Sequence, residues 1–235
     1  RTRVTVAGKC WQLRGFLSYL HSHGKTGKDL SAAIIAPRIY RHENCPRYLT
    51  RAETEHTLSC IDRRTSDGKR DYAVLLLLST YGLRGIEVVN LRLDDIDWRR
   101  RQLHIRNRKV GNNSVYPLTS GVGNALLAYL KRARPPTSRR HIFCCSIPPY
   151  APYKDSGRIA DIVKKRVHLA GFDAEHIGAH TFRYSCAQRL FEDDHKLKVI
   201  ADFLGHRSLD TTRRYMKIDT EHLREVAMNC GEELS

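Results

Sequence analysis

The stretch Asp71 to Tyr81, reading DYAVLLLLSTY, limits the possible folds more than any other part of this chain. Its apolar residues cover nearly the whole circumference of a helix. Such a helix belongs inside a core, not on a surface. Gly82 follows directly and can end the helix by taking the left-handed conformation. The uncharged apolar run Tyr72 to Leu83 is too short to cross a bilayer, which takes roughly 20 residues. The 235 residues suffice to bury a core around this helix, in one or two domains. The first residues lack the apolar centre of a signal peptide, and no membrane association is expected.

The remaining elements follow from periodicity and punctuation. Leu13, Phe16, Leu17 and Leu20 recur at helical spacing, so Trp11 to Leu20 reads as an amphipathic helix, with a further turn of helix at 29–34. Residues 36–48 carry two prolines and several basic residues without periodicity, and read as a linker. Thr50 followed by Glu53 is a capping box, opening a helix expected to reach about Ile61. A short helix at 85–91 is expected to carry Glu87 away from Arg84. Gln102 to Arg108 alternates apolar and polar, residues 111–114 form a turn, and Val115 to Leu118 returns as a strand. Helices are expected at 120–132 and 156–170, with a short strand at 141–145 between them. Further helices are expected at 180–192, 195–204, 208–217 and 220–229. The fold class is therefore mainly α with a small antiparallel β-sheet, an α+β domain.

The formal net charge is +16, from 41 Lys and Arg against 25 Asp and Glu. Such an excess selects a polyanionic partner, with nucleic acid foremost. Seven scattered cysteines include no CxxC pair, which argues against a disulfide framework or a cysteine zinc site and for a reducing, cytoplasmic compartment. Each cysteine reads as a small buried hydrophobe.

Against this background five residues form a constellation. His180 and Arg183 lie at i, i+3 and share a helix face. His206 sits in Leu204-Gly-His-Arg-Ser208, and Tyr215 follows nine residues later on the next expected helix, for which Ser208 is an N-cap. Arg84 lies far upstream in Tyr81-Gly-Leu-Arg-Gly-Ile-Glu87. Two arginines, two histidines and a tyrosine can break a phosphodiester bond without a metal. A tyrosine hydroxyl, with its ordinary pKa near ~10, is a poor nucleophile until cations favour the phenolate and the charge building on phosphorus. Arginine suits that task because its planar fork meets two phosphate oxygens at once. Lys109, in the expected strand-turn-strand segment, is the candidate general acid for the leaving oxygen. Arg106, Arg108 and Arg207 are candidate DNA contacts.

These residues resemble the tyrosine recombinase (phage integrase) family, in particular the site-specific integrases encoded by bacterial mobile elements. The family order of Arg, Lys, His-x-x-Arg, His or Trp, and Tyr falls on Arg84, Lys109, His180, Arg183, His206 and Tyr215. The flanking words Leu-Asp-Asp-Ile-Asp-Trp98 and Leu-Gly-His-Arg-Ser-Leu-Asp-Thr-Thr are similar to the family's, and Glu87 matches its buttressing acid. The resemblance implies a catalytic domain at 49–219, preceded at 1–35 by the C-terminal part of a helical core-DNA-binding domain and followed by a tail helix at 220–235. It implies double-stranded DNA as substrate and cleavage through a 3′-phosphotyrosine, with no cofactor. It also implies a homo-oligomer on DNA, a tetramer in the synaptic complex. Two departures stand out. Tyr184 follows Arg183 where the family often has His, and Asn112 and Asn113 occupy a turn where a second basic residue is common.

Taken singly, none of these residues is specific; their order and flanking words together are. His176 and His180 at i, i+4 could ligate a metal, but no third and fourth ligands accompany them, so no metal is expected. The alternatives are a DNA-binding remnant without recombination activity and a type IB topoisomerase-like enzyme. Tyr81, Tyr116 and Tyr184 compete with Tyr215 as nucleophile, but none follows a Gly-His pair at the right distance.

Overall fold

The computed structural model describes residues 3–38, 47–106, 113–173 and 177–205. The chain divides into two compact units, Arg1–Cys45 and Pro46–Ser235.

In the first unit, helix α1 spans Arg3–Ser22 and a 3-10 turn spans Ser31–Ala33. The Arg14 guanidinium donates to the Ile34 carbonyl at 2.8 Å, tying the turn back to the helix. Trp11, Leu13, Phe16 and Tyr19 are all exposed.

In the second unit, α2 (Arg51–Ser59) starts at the expected capping box: Thr50 accepts from the Glu53 N–H, and the Glu53 carboxylate accepts from the Thr50 N–H. Helix α3 (Ser66–Tyr81) begins a turn earlier than the apolar run, because Thr65 caps it by accepting from Gly68 N–H. That first turn is polar and carries no periodic signal. Val74, Leu75, Leu77 and Leu78 of α3 are fully buried. Around them pack α5 (Ser120–Arg132), α6 (Gly157–Leu169) and α7 (Ala179–Glu192). Asp71, also fully buried, is held by Arg70 and Arg166, each at 2.7 Å. An unpaired charge at that depth would cost several kcal/mol, so the ion triad is a condition of the packing.

Helix α4 (Gly85–Val89) leads into a three-stranded antiparallel sheet of β1 (Ile96–Asp97), β2 (Gln102–Ile105) and β3 (Ser114–Pro117), in that order. The β2–β3 register pairs Leu103 with Tyr116, which places both on the buried face. Strand β1, only two residues long, left no alternation to read. The expected strand at 141–145 is not one. It makes isolated bridges, Arg92 with His141 and Cys144 with Pro152. Ile142 and Phe143 are both buried, so the segment lacks the one-sided exposure of a sheet edge, and it is hooked to Leu91 through the Ile142 N–H. Helix α8 spans Leu197–Leu204 and ends at Gly205 in the left-handed conformation.

Cys144 and Cys186 are buried, as a small hydrophobe should be, but Cys10 and Cys145 are only partly buried and Cys60, the C-cap of α2, is exposed. Cys45 and Cys230 lie outside the described residues. Among the described residues, no helix is long and apolar enough to cross a membrane.

Candidate active site

Three of the sequence candidates come together where helices end. Arg84 is the N-cap residue of α4, His180 lies in the first turn of α7, and Arg183 lies one turn further along α7. The approach depends on Gly85. A Cβ there would stand 3.0 Å from the Ser156 Cβ and 3.3 Å from the Ala179 Cβ, closer than side chains normally pack. The absent side chain lets the start of α4 lie against the start of α7, which sets Arg84 beside the helix that carries His180.

The two arginines are held in different ways. Arg84 donates from Nη1 to Glu87 Oε1 at 2.7 Å and from Nη2 to the Gly205 carbonyl at 3.0 Å. The other oxygen of Glu87 accepts from the Arg84 backbone N–H at 2.8 Å. Glu87 therefore turns back onto Arg84, contrary to the expectation that the short helix carries it away. The reason is local: an acid three residues into a helix can reach back to the N-cap N–H, and its second oxygen then meets the guanidinium. That rule could have predicted the contact. Arg183 is 2% exposed. It donates to the Gly82 carbonyl at 2.6 Å and to the Leu204 carbonyl. Gly82 and Gly205 are left-handed C-caps of α3 and α8. The guanidinium groups thus sit on the negative ends of two helices, a placement that favours a cation.

His180 keeps an exposed edge yet is crowded by protein. Desolvation lowers its pKa, and the positive charges of Arg183 and then Arg84 act in the same direction. A neutral imidazole beside two guanidinium groups results, and an anion bound among them would reverse the effect. Arg106, a candidate DNA contact, pairs with the buried carboxylate of Asp95 at 2.7 Å. Tyr184 is half-buried and packs against the apolar cluster of Cys186, Ala187, Ile200 and Leu204. Lys109, Arg108, His206, Arg207, Tyr215 and His176 lie outside the described residues. No group of three or more potential metal ligands occurs among the described residues. Sequence reasoning missed the carbonyls of Gly82, Leu204 and Gly205, since backbone acceptors leave no mark on side-chain identity.

The arrangement sets two guanidinium groups, fixed by carboxylate and carbonyl partners, beside an imidazole. The model of the phage integrase family matches residues 47–222. The chain belongs to the phage integrase family. It is 38% identical over 193 residues to the putative integrase/recombinase y4gC of Sinorhizobium fredii, covering 81% of this chain and 99% of that relative. The y4rA protein of the same organism, also a putative integrase/recombinase, is 38% identical over 216 residues, covering 92% of this chain and 52% of the relative. The chain thus spans about half the length of some curated integrase relatives that it matches. Among solved structures, XerH recombinase bound to difH substrate in a pre-cleavage complex superposes with a TM-score of 0.68 at 24% identity, over 92% of this chain and 62% of that one. The integrase fold is therefore that of tyrosine recombinase catalytic domains, mostly helical with a small antiparallel sheet.

Proposed function

We propose that this integrase-family chain breaks and rejoins double-stranded DNA at specific sites, in integration or excision. The Tyr215 oxygen attacks a backbone phosphorus and forms a 3′-phosphotyrosine. The bond from phosphorus to the deoxyribose 5′ oxygen breaks, and Lys109 donates a proton to that oxygen. Arg84, Arg183 and His206 stabilise the charge on the pentavalent phosphorus, while His180 accepts the phenol proton. Because the phosphotyrosine conserves the phosphodiester linkage, attack by a new 5′ hydroxyl reseals the strand without an external energy source.

The observation that carries this reading is the convergence of Arg84, His180 and Arg183 at the ends of α4 and α7, with α8 leading from their contacts straight into His206. The net charge of +16 supports a DNA partner. Residues 1–35 serve as part of a core-DNA-binding domain, 36–48 as linker, 49–219 as the catalytic domain and 220–235 as the tail. The active assembly is a homo-oligomer on DNA, a tetramer in the synaptic complex, working in the cytoplasm.

The test is a nicked duplex taken from DNA flanking the gene, with inverted repeats around a short spacer. Wild type should form a covalent protein–DNA adduct that resists denaturation, and Tyr215→Phe should not. Binding without any adduct would overturn the enzymatic reading and leave a DNA-binding protein. Adduct formation by Tyr215→Phe would remove Tyr215 from its role.

A further inference from the structure

The last carbonyls of a helix have no intrahelical donor and need partners from elsewhere. In α8 the Gly205 N–H serves the Ala201 and Asp202 carbonyls. Each of the next three carbonyls accepts from a side chain of a different element. Gly205 takes Arg84 from the start of α4, and Leu204 takes Arg183 from α7. Phe203 takes the Tyr116 hydroxyl from β3, at 2.5 Å. Two of the three donors are arginines of the candidate site, and the third is a tyrosine with no part in the chemistry.

We propose that Tyr116 is a positioning residue. Through the Phe203 carbonyl it fixes the end of α8, and so the start of the chain that continues into His206, in register with Arg84 and Arg183. The proposal rests on the strand-cleavage reading above. Tyr116 suits the role because its ring and its hydroxyl do separable things. The ring is 4% exposed and packs between Tyr81 and Phe203, with centroids 5.2 and 5.1 Å away. That packing, edge-on to Phe203 of α8, is kept when the hydroxyl alone is removed. The hydroxyl supplies the direction, since a hydrogen bond weakens steeply when misaligned. Tyr116 also stands on the strand that returns from the segment containing Lys109, opposite Leu103. One side chain therefore links β3 to the last turn of α8.

Tyr81 provides the control. It is also a buried tyrosine of the same aromatic group, and its hydroxyl donates to the Pro117 carbonyl and accepts from the Thr119 N–H. A purely structural role for buried hydroxyls predicts that Tyr116→Phe and Tyr81→Phe behave alike.

The experiment measures adduct formation on the nicked duplex over a range of DNA concentrations for wild type, Tyr116→Phe and Tyr81→Phe, with urea unfolding of each. Tyr116→Phe should lower the cleavage rate at saturating DNA by roughly 3- to 10-fold, the equivalent of one hydrogen bond, with half-saturation within about twofold of wild type. Tyr81→Phe should cleave at the wild-type rate even where its urea midpoint falls as far. Equal rates for Tyr116→Phe and wild type overturn the proposal. So does an equal loss of rate in both variants, which would mark a stability effect. A wild type that forms no adduct overturns the cleavage reading itself, and this proposal with it.

Discussion

Gly82 joins three features of the site, and replacing it with alanine should expose what each contributes. The residue has φ 59°, in the left-handed region, which costs an L side chain roughly 1–2 kcal/mol. A Cβ would stand 2.6 Å from Leu204 Cδ2 and 3.3 Å from both Cβ and Sγ of Cys186. Leu204 and Cys186 are buried and cannot swing into solvent, so the insertion is an overpacking defect, which typically costs about 1–3 kcal/mol. Gly82→Ala should therefore destabilise the protein by about 2–5 kcal/mol, read as a lowered urea midpoint with an unchanged slope. The larger share is local to Leu204, whose carbonyl is held by Arg183. Leu204→Val removes the offending methyl, so the double variant should recover about 1 kcal/mol or more relative to the sum of the singles. Two results would refute the reasoning. A Gly82→Ala cost under about 0.5 kcal/mol would mean that neither the backbone nor the contact is as tight as described. Strict additivity with Leu204→Val would mean that the strain lies elsewhere.

Three other outcomes can be checked in the same assays. Glu87→Gln keeps an acceptor beside Arg84 but removes the charge. It should slow adduct formation by about tenfold, since charge-assisted bonds are roughly twice as strong as neutral ones; an unchanged rate would deny Glu87 its buttressing part. Asp71→Asn leaves Arg166 and Arg70 without their buried counter-charge and should cost roughly 3–5 kcal/mol in urea unfolding, whereas a loss under about 1 kcal/mol would mean that the triad is hydrated. For His180 the folded pKa lies below the ordinary 6.5, so the unfolded chain takes up the proton first as pH falls. Its contribution to stability is complete above 6.5 and is lost as pH drops through that value toward the folded pKa. Stability measured at pH 7.5 and at acid pH should therefore fall less steeply in His180→Gln than in wild type; parallel profiles would exclude the effect.

Much of the fold was legible in advance because its signals are local. The expected helix at 120–132 coincides with α5, that at 156–170 exceeds α6 by one residue at each end, and that at 180–192 starts one residue later than α7. Thr50 with Glu53, and Gly82 after an apolar run, announce helix ends through their own backbone chemistry. The misses have different causes. Residues 141–145 are apolar enough for a strand, but pairing depends on a partner that periodicity within the segment does not encode. Glu87 does not point away from Arg84, because an acid three residues into a helix reaches back to the N-cap N–H against the direction of helical progression.

By itself the sequence named the candidate residues for the chemistry, because guanidinium, imidazole and phenol groups announce themselves by type and order. It also determined that Asp71 to Tyr81 must be buried, because an all-round apolar helix has no face for water. Only the tertiary structure decided how Arg84 and Arg183 are held. Their partners are the carbonyls of Gly82, Leu204 and Gly205, which every residue possesses and no sequence pattern distinguishes. The same holds for Tyr116, a strand residue like many others until the fold sets its hydroxyl on the last turn of α8.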